Sequence, residues 1–152
     1  MATEFQVTID CAEPARLARF WCEALHYVPE PPPAGYDSWY GYLRGIGVPE
    51  DELEDGPDGD YCDSVIDPAG RGPRLWFQIV PEAKLAKNRL HLDLDVGGGR
   101  RAPLDERRRR VRAEADRLVK AGARQLSVLD QDGLEHVGIV MQDPEGNEFC
   151  LH

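Results

Sequence analysis

The chain has 152 residues, 41% of them hydrophobic and 30% charged, with 28 acidic against 18 basic side chains and a formal net charge of −10. That length fits one domain with a real core, the acidity opposes nucleic-acid binding because phosphate recognition needs a basic surface, and no apolar run reaches the roughly 20 residues of a membrane span. MATEFQVTID has neither the basic nor the long apolar part of a signal peptide, so the expected location is the cytoplasm, where Cys11, Cys22, Cys62 and Cys150, with no CxxC pair among them, read as reduced thiols.

FQVTIDC (5 to 11) predicts a strand, and a helix follows from about Pro14, where a proline's missing N–H costs nothing. Leu17, Phe20, Trp21, Ala24 and Leu25 make one apolar stripe at i, i+3, i+4, i+7 and i+8. Residues 31 to 61 form an insertion. PEPPPAGYDSW is proline-rich and extended, Ser38 can cap a short helix carrying Trp39, Tyr42 and Leu43, and VPEDELEDGPDGD is acidic and turn-rich. Such a segment reads either as a lid or as a plain surface excursion. VIDPAGRGPRLWFQI (65 to 79) then reads as a hairpin, because Asp-Pro followed by Gly two positions on favours a reversal.

The same unit then recurs. NRLHLDLDVGGG alternates His91, Asp93 and Asp95 with Leu92, Leu94 and Val96, as a strand with one polar face does. VGGGRR lacks the spacing and acidic partner of a dinucleotide site and reads as a flexible connection. A helix from about Pro103 carries Val111, Ala115, Leu118 and Val119, and Gly122 suits its left-handed end. Its run Arg107 to Arg110 is interleaved with Asp105, Glu106, Glu114 and Asp116 and reads as a mixed-charge solvated face. VMQDPEGNEFCLH (140 to 152) repeats the Asp-Pro-x-Gly hairpin. If both helices cover the apolar strand faces, then Gln6, Thr8 and Asp10 in one unit, and His91, Asp93 and Asp95 in the other, point the opposite way.

That polar face holds the candidates. His91 and Asp93 are the catalytic pair, an imidazole and a carboxylate able to act as acid and base. Gln6, Thr8, Asp10, Trp39, Trp76, Gln78, His136 and Cys150 are candidate ligand contacts; the tryptophans would favour a flat or aromatic ligand. His136 falls nearer the rim, and no basic neighbour in sequence marks Cys150 as an activated thiol. There is no GxSxG elbow, P-loop or GxGxxG after a strand.

TIDCAEPARLARFWCEAL, GPRLWFQIVPE, KNRLHLDLDVGGGRR and MQDPEGNEFCLH, in that order, closely resemble glyoxalase-like proteins of the vicinal oxygen chelate superfamily. The resemblance implies an α+β fold of two βαβββ modules, about 5 to 82 and 88 to 152, forming an open, cup-shaped mixed sheet with helices outside, in a single domain over 1 to 152. It further implies a small-molecule ligand held between the modules and a homodimer. The superfamily spans metal-dependent lyases, isomerases and ring-cleaving dioxygenases as well as metal-free antibiotic-sequestering proteins. Carried over, its ligand positions fall on Gln6, on His91, on Gln78 or Trp76, and on Cys150, where glutamate is usual. With both glutamates missing, the residues favour a metal-independent protein. The alternative is a divalent ion (Zn, Ni, Mn or Fe) held by an unusual set drawn from His91, Gln6, Gln78 and Glu148, or from His91 with Asp93, Glu148, His152 or Asp10.

Overall fold

The computed structural model describes residues 3–53, 62–99, 101–130 and 136–152. Residues 54–61 of the insertion lie outside the described residues. The chain divides into two compact units, Met1–Val80 and Pro81–His152.

The first unit runs β1 (Gln6–Cys11), α1 (Pro14–Leu25), β2 (Val28–Pro29), α2 (Trp39–Gly45), a 3-10 turn (Glu50–Glu52), β3 (Ser64–Ile66) and β4 (Arg74–Ile79). Its sheet order is β1-β4-β3-β2, with β1 parallel to β4 and the other pairs antiparallel. Helix α1 starts at Pro14 without a side-chain cap and ends where His26 turns left-handed at φ 56°, a conformation that costs a non-glycine residue about 1 kcal/mol. It buries Leu17, Ala18, Phe20, Trp21 and Ala24 against β3 and β4, whose Val65, Leu75 and Phe77 are also buried. Leu25, expected in the stripe, is only half-buried, and Ala18 takes a place in the core. Ser38 caps α2 as expected, its Oγ accepting the Gly41 N–H at 3.0 Å.

The second unit runs β5 (Asp93–Leu94), α3 (Leu104–Lys120), β6 (Arg124–Leu129), β7 (Gly138–Gln142) and β8 (Glu148–Leu151), with sheet order β5-β8-β7-β6 and β5 parallel to β8. Together the units make an α+β protein of two open four-stranded mixed sheets with the βαβββ order repeated. Strand β5 is shorter than its polar–apolar alternation predicts. Its flanks stay extended, with Cys150 N–H donating to Leu92 O, His152 N–H to Leu94 O, and Val96 N–H to His152 O. Helix α3 buries Val111, Ala115 and Leu118 but leaves Val119 47% exposed. At 100° per residue Val119 sits about 80° round from Val111, off the buried stripe, which near the helix start includes Arg107. The other arginines of the run pair with carboxylates: Arg108 with Asp105 and Asp130, Arg109 and Arg110 with Glu106. No helix among the described residues is long and apolar enough to cross a membrane.

Each hairpin turns on its aspartate as much as on its Pro-x-Gly. Asp67 accepts the N–H groups of Ala69, Arg71 and Gly72 at 2.8, 3.0 and 2.9 Å, and those bonds hold its carboxyl below the usual range. Asp143, 3% exposed, accepts the N–H groups of Glu145 and Asn147 and the Asn147 side-chain amide, all at 2.9 Å. Gly70 and Gly146 follow at φ 65° and 90°, conformations that glycine adopts without strain. The second turn fixes where β8 lies and so presents Cys150 directly opposite Asp93.

Candidate functional site

In the second unit, apolar Leu94 is buried while His91, Asp93 and Asp95 are exposed, as the alternation predicts. His91 and Asp93, two residues apart along an extended backbone, project to the same side. The His91 Nδ1 lies 2.8 Å from an Asp93 oxygen. A carboxylate only accepts, so Nδ1 carries the hydrogen and Nε2 is left as the acceptor. From the paired strand Cys150 joins them: one ligating atom each of His91, Asp93 and Cys150 fall within 4.8 Å of one another. Burial, then the charge and hydrogen bond of Asp93, push the Cys150 thiol up, while the Lys87 charge works in the opposite direction. Lys87 is therefore a basic neighbour of Cys150 that the sequence reading missed; it belongs to the segment ahead of β5, 63 positions from Cys150, which leaves no local sequence signal to find it.

Other expected members of this face are committed elsewhere. The Glu148 carboxylate accepts the Asn88 N–H at 2.9 Å and pairs with Lys84 at 3.2 Å. Those bonds hold it down to about 2, so it anchors the segment entering β5 and does not stand open as a metal ligand. Asp95 accepts the N–H groups of Gly98 and Gly99 at 3.3 and 3.0 Å; the triple glycine is a turn tied to that carboxylate, where the sequence reading expected a flexible connection. His136 and His152 are exposed and outside the three-residue group.

In the first unit, β1 and β4 set Gln6 beside Arg74, Thr8 beside Trp76 and Asp10 beside Gln78. Gln6 gives its side-chain carbonyl oxygen to Arg74 Nη1 at 2.9 Å. Arg74 Nε and Nη2 both reach the same Glu30 oxygen at 2.7 Å, and Ser64 Oγ donates to that oxygen at 2.8 Å. Burial works to raise the Glu30 carboxyl, but Arg74 and Ser64 outweigh it and hold it below its ordinary range. Trp76 donates its indole N–H to Asp63 and Trp39 to the Glu30 carbonyl, each at 2.8 Å. Trp39 also packs edge-on to Tyr42 at 5.7 Å, and Tyr42 to Tyr36 at 5.2 Å. The two tryptophans thus brace the polar face. Parity with Trp76 could have found Arg74, whereas nothing near Glu30 in sequence announces its partner 44 positions away.

The metal set that the fold implies does not fit these residues. At Gln6, where a ligand would be, a guanidinium already holds the carbonyl oxygen. Gln78 is an exposed neutral amide, position 150 is a thiol, and Glu148 is engaged by Asn88 and Lys84. A hard divalent ion asks for anionic oxygen, which this set does not offer. None of the four cysteines, all among the described residues, is in a disulfide. Burial first, then Cys62 and Glu23, push Cys22 up to about 11.

The glyoxalase-like domain family matches residues 6–152. Among solved structures, a glyoxalase/bleomycin resistance protein/dioxygenase family enzyme from Burkholderia phytofirmans is 14% identical over 96% of this chain and 94% of its own, with a TM-score of 0.54. The fosfomycin resistance protein FosX from Mesorhizobium loti is 12% identical over 100% and 92%, with a TM-score of 0.55. A variant of FosX from Listeria monocytogenes, complexed with Mn(II) and 1S,2S-dihydroxypropylphosphonic acid, is 12% identical over 100% and 90%, with a TM-score of 0.57. At such identities the likeness is one of fold. No curated protein matches the chain.

Proposed function

Because the chain belongs to the glyoxalase-like domain family, within the glyoxalase/bleomycin resistance/dioxygenase superfamily, we propose that it binds a small molecule on the polar face of its second unit and acts on it by proton transfer through His91, without a resident metal. The observation that carries this reading is the 2.8 Å His91–Asp93 contact. Asp93 fixes the imidazole's tautomer and offsets the positive charge it gains on taking a proton, leaving Nε2 to accept a hydrogen from bound substrate; a positioned base of this kind contributes about 10²–10⁴ in rate. On the first unit's own polar face Asp10 and Gln78 are exposed, while Gln6, Thr8, Trp39 and Trp76 are hydrogen-bonded within the unit. The homodimer and cytoplasmic location belong to the same proposal, and sedimentation equilibrium of the purified chain checks the first.

A second reading is a lyase or dioxygenase with a softer ion such as Zn²⁺, favoured by the imidazole, carboxylate and thiol donors lying within 4.8 Å. One experiment separates the two. Metal content is measured on untagged wild type and His91→Ala, before and after dialysis against Zn²⁺, Ni²⁺, Mn²⁺ and Fe²⁺, together with a thermal-shift screen of small molecules. The proposal expects metal far below one equivalent, a melting temperature indifferent to chelator, and a stabilising ligand whose turnover is lost in His91→Ala. About one equivalent of metal in the wild type, lost in the variant, would establish the second reading instead. A ligand that stabilises the protein yet is never turned over would make it a sequestering protein of the antibiotic-resistance kind.

A further inference from the structure

We infer that the polar face of the first unit is a binding site in its own right, for an uncharged aromatic molecule whose ring is conjugated to a carbonyl, with the ring stacked on Trp76 and the carbonyl oxygen on Arg74. The inference is independent of the His91 reading, which concerns the second unit. Arg74 and Trp76 lie two residues apart on β4 and project to one side, with Leu75 and Phe77 buried on the other. That spacing is about 6.6 Å along a strand, a reach that one ring with a carbonyl substituent spans. Both side chains are fixed before any ligand arrives, which lowers the cost of binding. Trp76 gives its indole N–H to Asp63 at 2.8 Å, so what the half-buried ring offers a ligand is its face. Arg74 reaches Glu30 through Nε and Nη2, each at 2.7 Å, and Gln6 through Nη1 at 2.9 Å. Those contacts occupy three of the five N–H donors of a guanidinium, and one N–H on each terminal nitrogen of Arg74 has no acceptor among the described residues.

The chemistry of the ligand follows from the neighbours. Asp10, Glu30 and Asp63 set three carboxylates against the Arg74 guanidinium on this face, and Glu30 already balances Arg74 directly. A further anion is repelled there, whereas a neutral oxygen still accepts the two remaining N–H groups. An indole that donates its N–H to a carboxylate has a more electron-rich ring, which stacks best on an electron-poor one. A ring conjugated to a carbonyl meets both demands: the carbonyl withdraws electrons from the ring and supplies the acceptor.

The test titrates the full chain with three probes of similar shape, acetophenone, ethylbenzene and benzoate, and follows the indole N–H signals of Trp21, Trp39 and Trp76 by proton–nitrogen correlation NMR, with Trp76→Phe to identify its own signal. Acetophenone is expected to shift the Trp76 signal and to leave that of Trp21, buried on α1, in place. It is also expected to bind about tenfold more tightly than ethylbenzene, which lacks the acceptor, and more tightly than benzoate, which adds a charge. Arg74→Lys keeps the charge beside Glu30 but loses the paired terminal nitrogens, and it should erase the preference for acetophenone over ethylbenzene while both still shift Trp76. Where that variant fails to fold, the comparison of the three probes on the wild type decides by itself. A Trp76 signal that stays put up to the solubility of acetophenone, equal affinity for acetophenone and ethylbenzene, tighter binding of benzoate, or an acetophenone preference that survives in Arg74→Lys would each overturn the inference. Every readout is binding to the first unit, so its failure and failure of the His91 reading, which is tested by metal content and turnover, are told apart.

Discussion

Replacing Asp143 by alanine removes the carboxylate on which the second hairpin turns. Three donors lose their acceptor: the N–H groups of Glu145 and Asn147, both on Oδ1, and the Asn147 amide on Oδ2, each at 2.9 Å. Leaving a buried donor unmet costs about 1–3 kcal/mol. Glu145 and Asn147 are half-buried, so water can reach part of what is lost, and the expected total for Asp143→Ala is about 2–4 kcal/mol. For a chain of this size that is a fall in Tm of roughly 5–15 °C. Asp143→Asn is the sharper comparison. Because both backbone donors use Oδ1, an asparagine carbonyl placed there keeps both, while its amide nitrogen faces the Asn147 amide and leaves that one donor unmet, which calls for a loss of about 1–2 kcal/mol, below that of alanine. Urea unfolding of the three proteins, read by far-ultraviolet circular dichroism because all three tryptophans lie in the first unit, measures the differences. Equal losses for the alanine and asparagine variants, or an alanine loss under about 1 kcal/mol, would refute the view that the carboxylate's acceptors hold the turn.

Two further outcomes follow from the same bonds. Glu148 is held down to about 2 from its ordinary 4.5, so its contribution is fully present above pH 4.5 and is lost as the pH falls from there toward 2; Glu148→Gln should flatten the stability–pH curve over that window, as unfolding free energies at pH 2.5, 3.5 and 5 will reveal. In the first unit, Arg74→Ala leaves the Glu30 carboxylate with Ser64 as its remaining side-chain donor and should cost about 2 kcal/mol, less than a fully buried pair because Arg74 and Glu30 keep 31% and 23% of their side-chain surface. A double-mutant cycle with Glu30→Gln should return a coupling of about 1 kcal/mol or more; additive losses would mean that the pair contributes nothing beyond its separate members.

The fold was legible because the chain says it twice. An Asp-Pro-x-Gly turn between two strand patterns, preceded each time by a strand and a proline-started helix, specifies connectivity through local chemistry that does not depend on distant contacts. In the second unit the alternation that sets His91, Asp93 and Asp95 against the leucines matches the exposed and buried positions, and in the first β4 shows the same alternation, with Leu75 and Phe77 buried and Arg74 and Trp76 half-buried. Where the reading slipped, the buried stripe of α3 had other members than the apolar pattern names: Arg107 is buried near the helix start and Val119 is exposed near its end.

The site was legible only as far as period two reaches. His91 and Asp93 share a face because they are two residues apart, and that much needs no structure. What each side chain does there was settled by partners from remote positions. Glu148 follows the same parity as Cys150, yet Asn88 and Lys84 draw it into holding the segment before β5. Gln6 sits where a metal ligand would sit, yet Arg74, 68 positions later, takes its carbonyl oxygen. In both cases a charge-assisted bond decided whether a polar residue stayed available, and such bonds depend on tertiary register rather than on local sequence. Cys150 shows the converse: an ordinary core thiol in sequence becomes, by lying opposite Asp93 in a parallel pair, the third member of a group with His91 and Asp93.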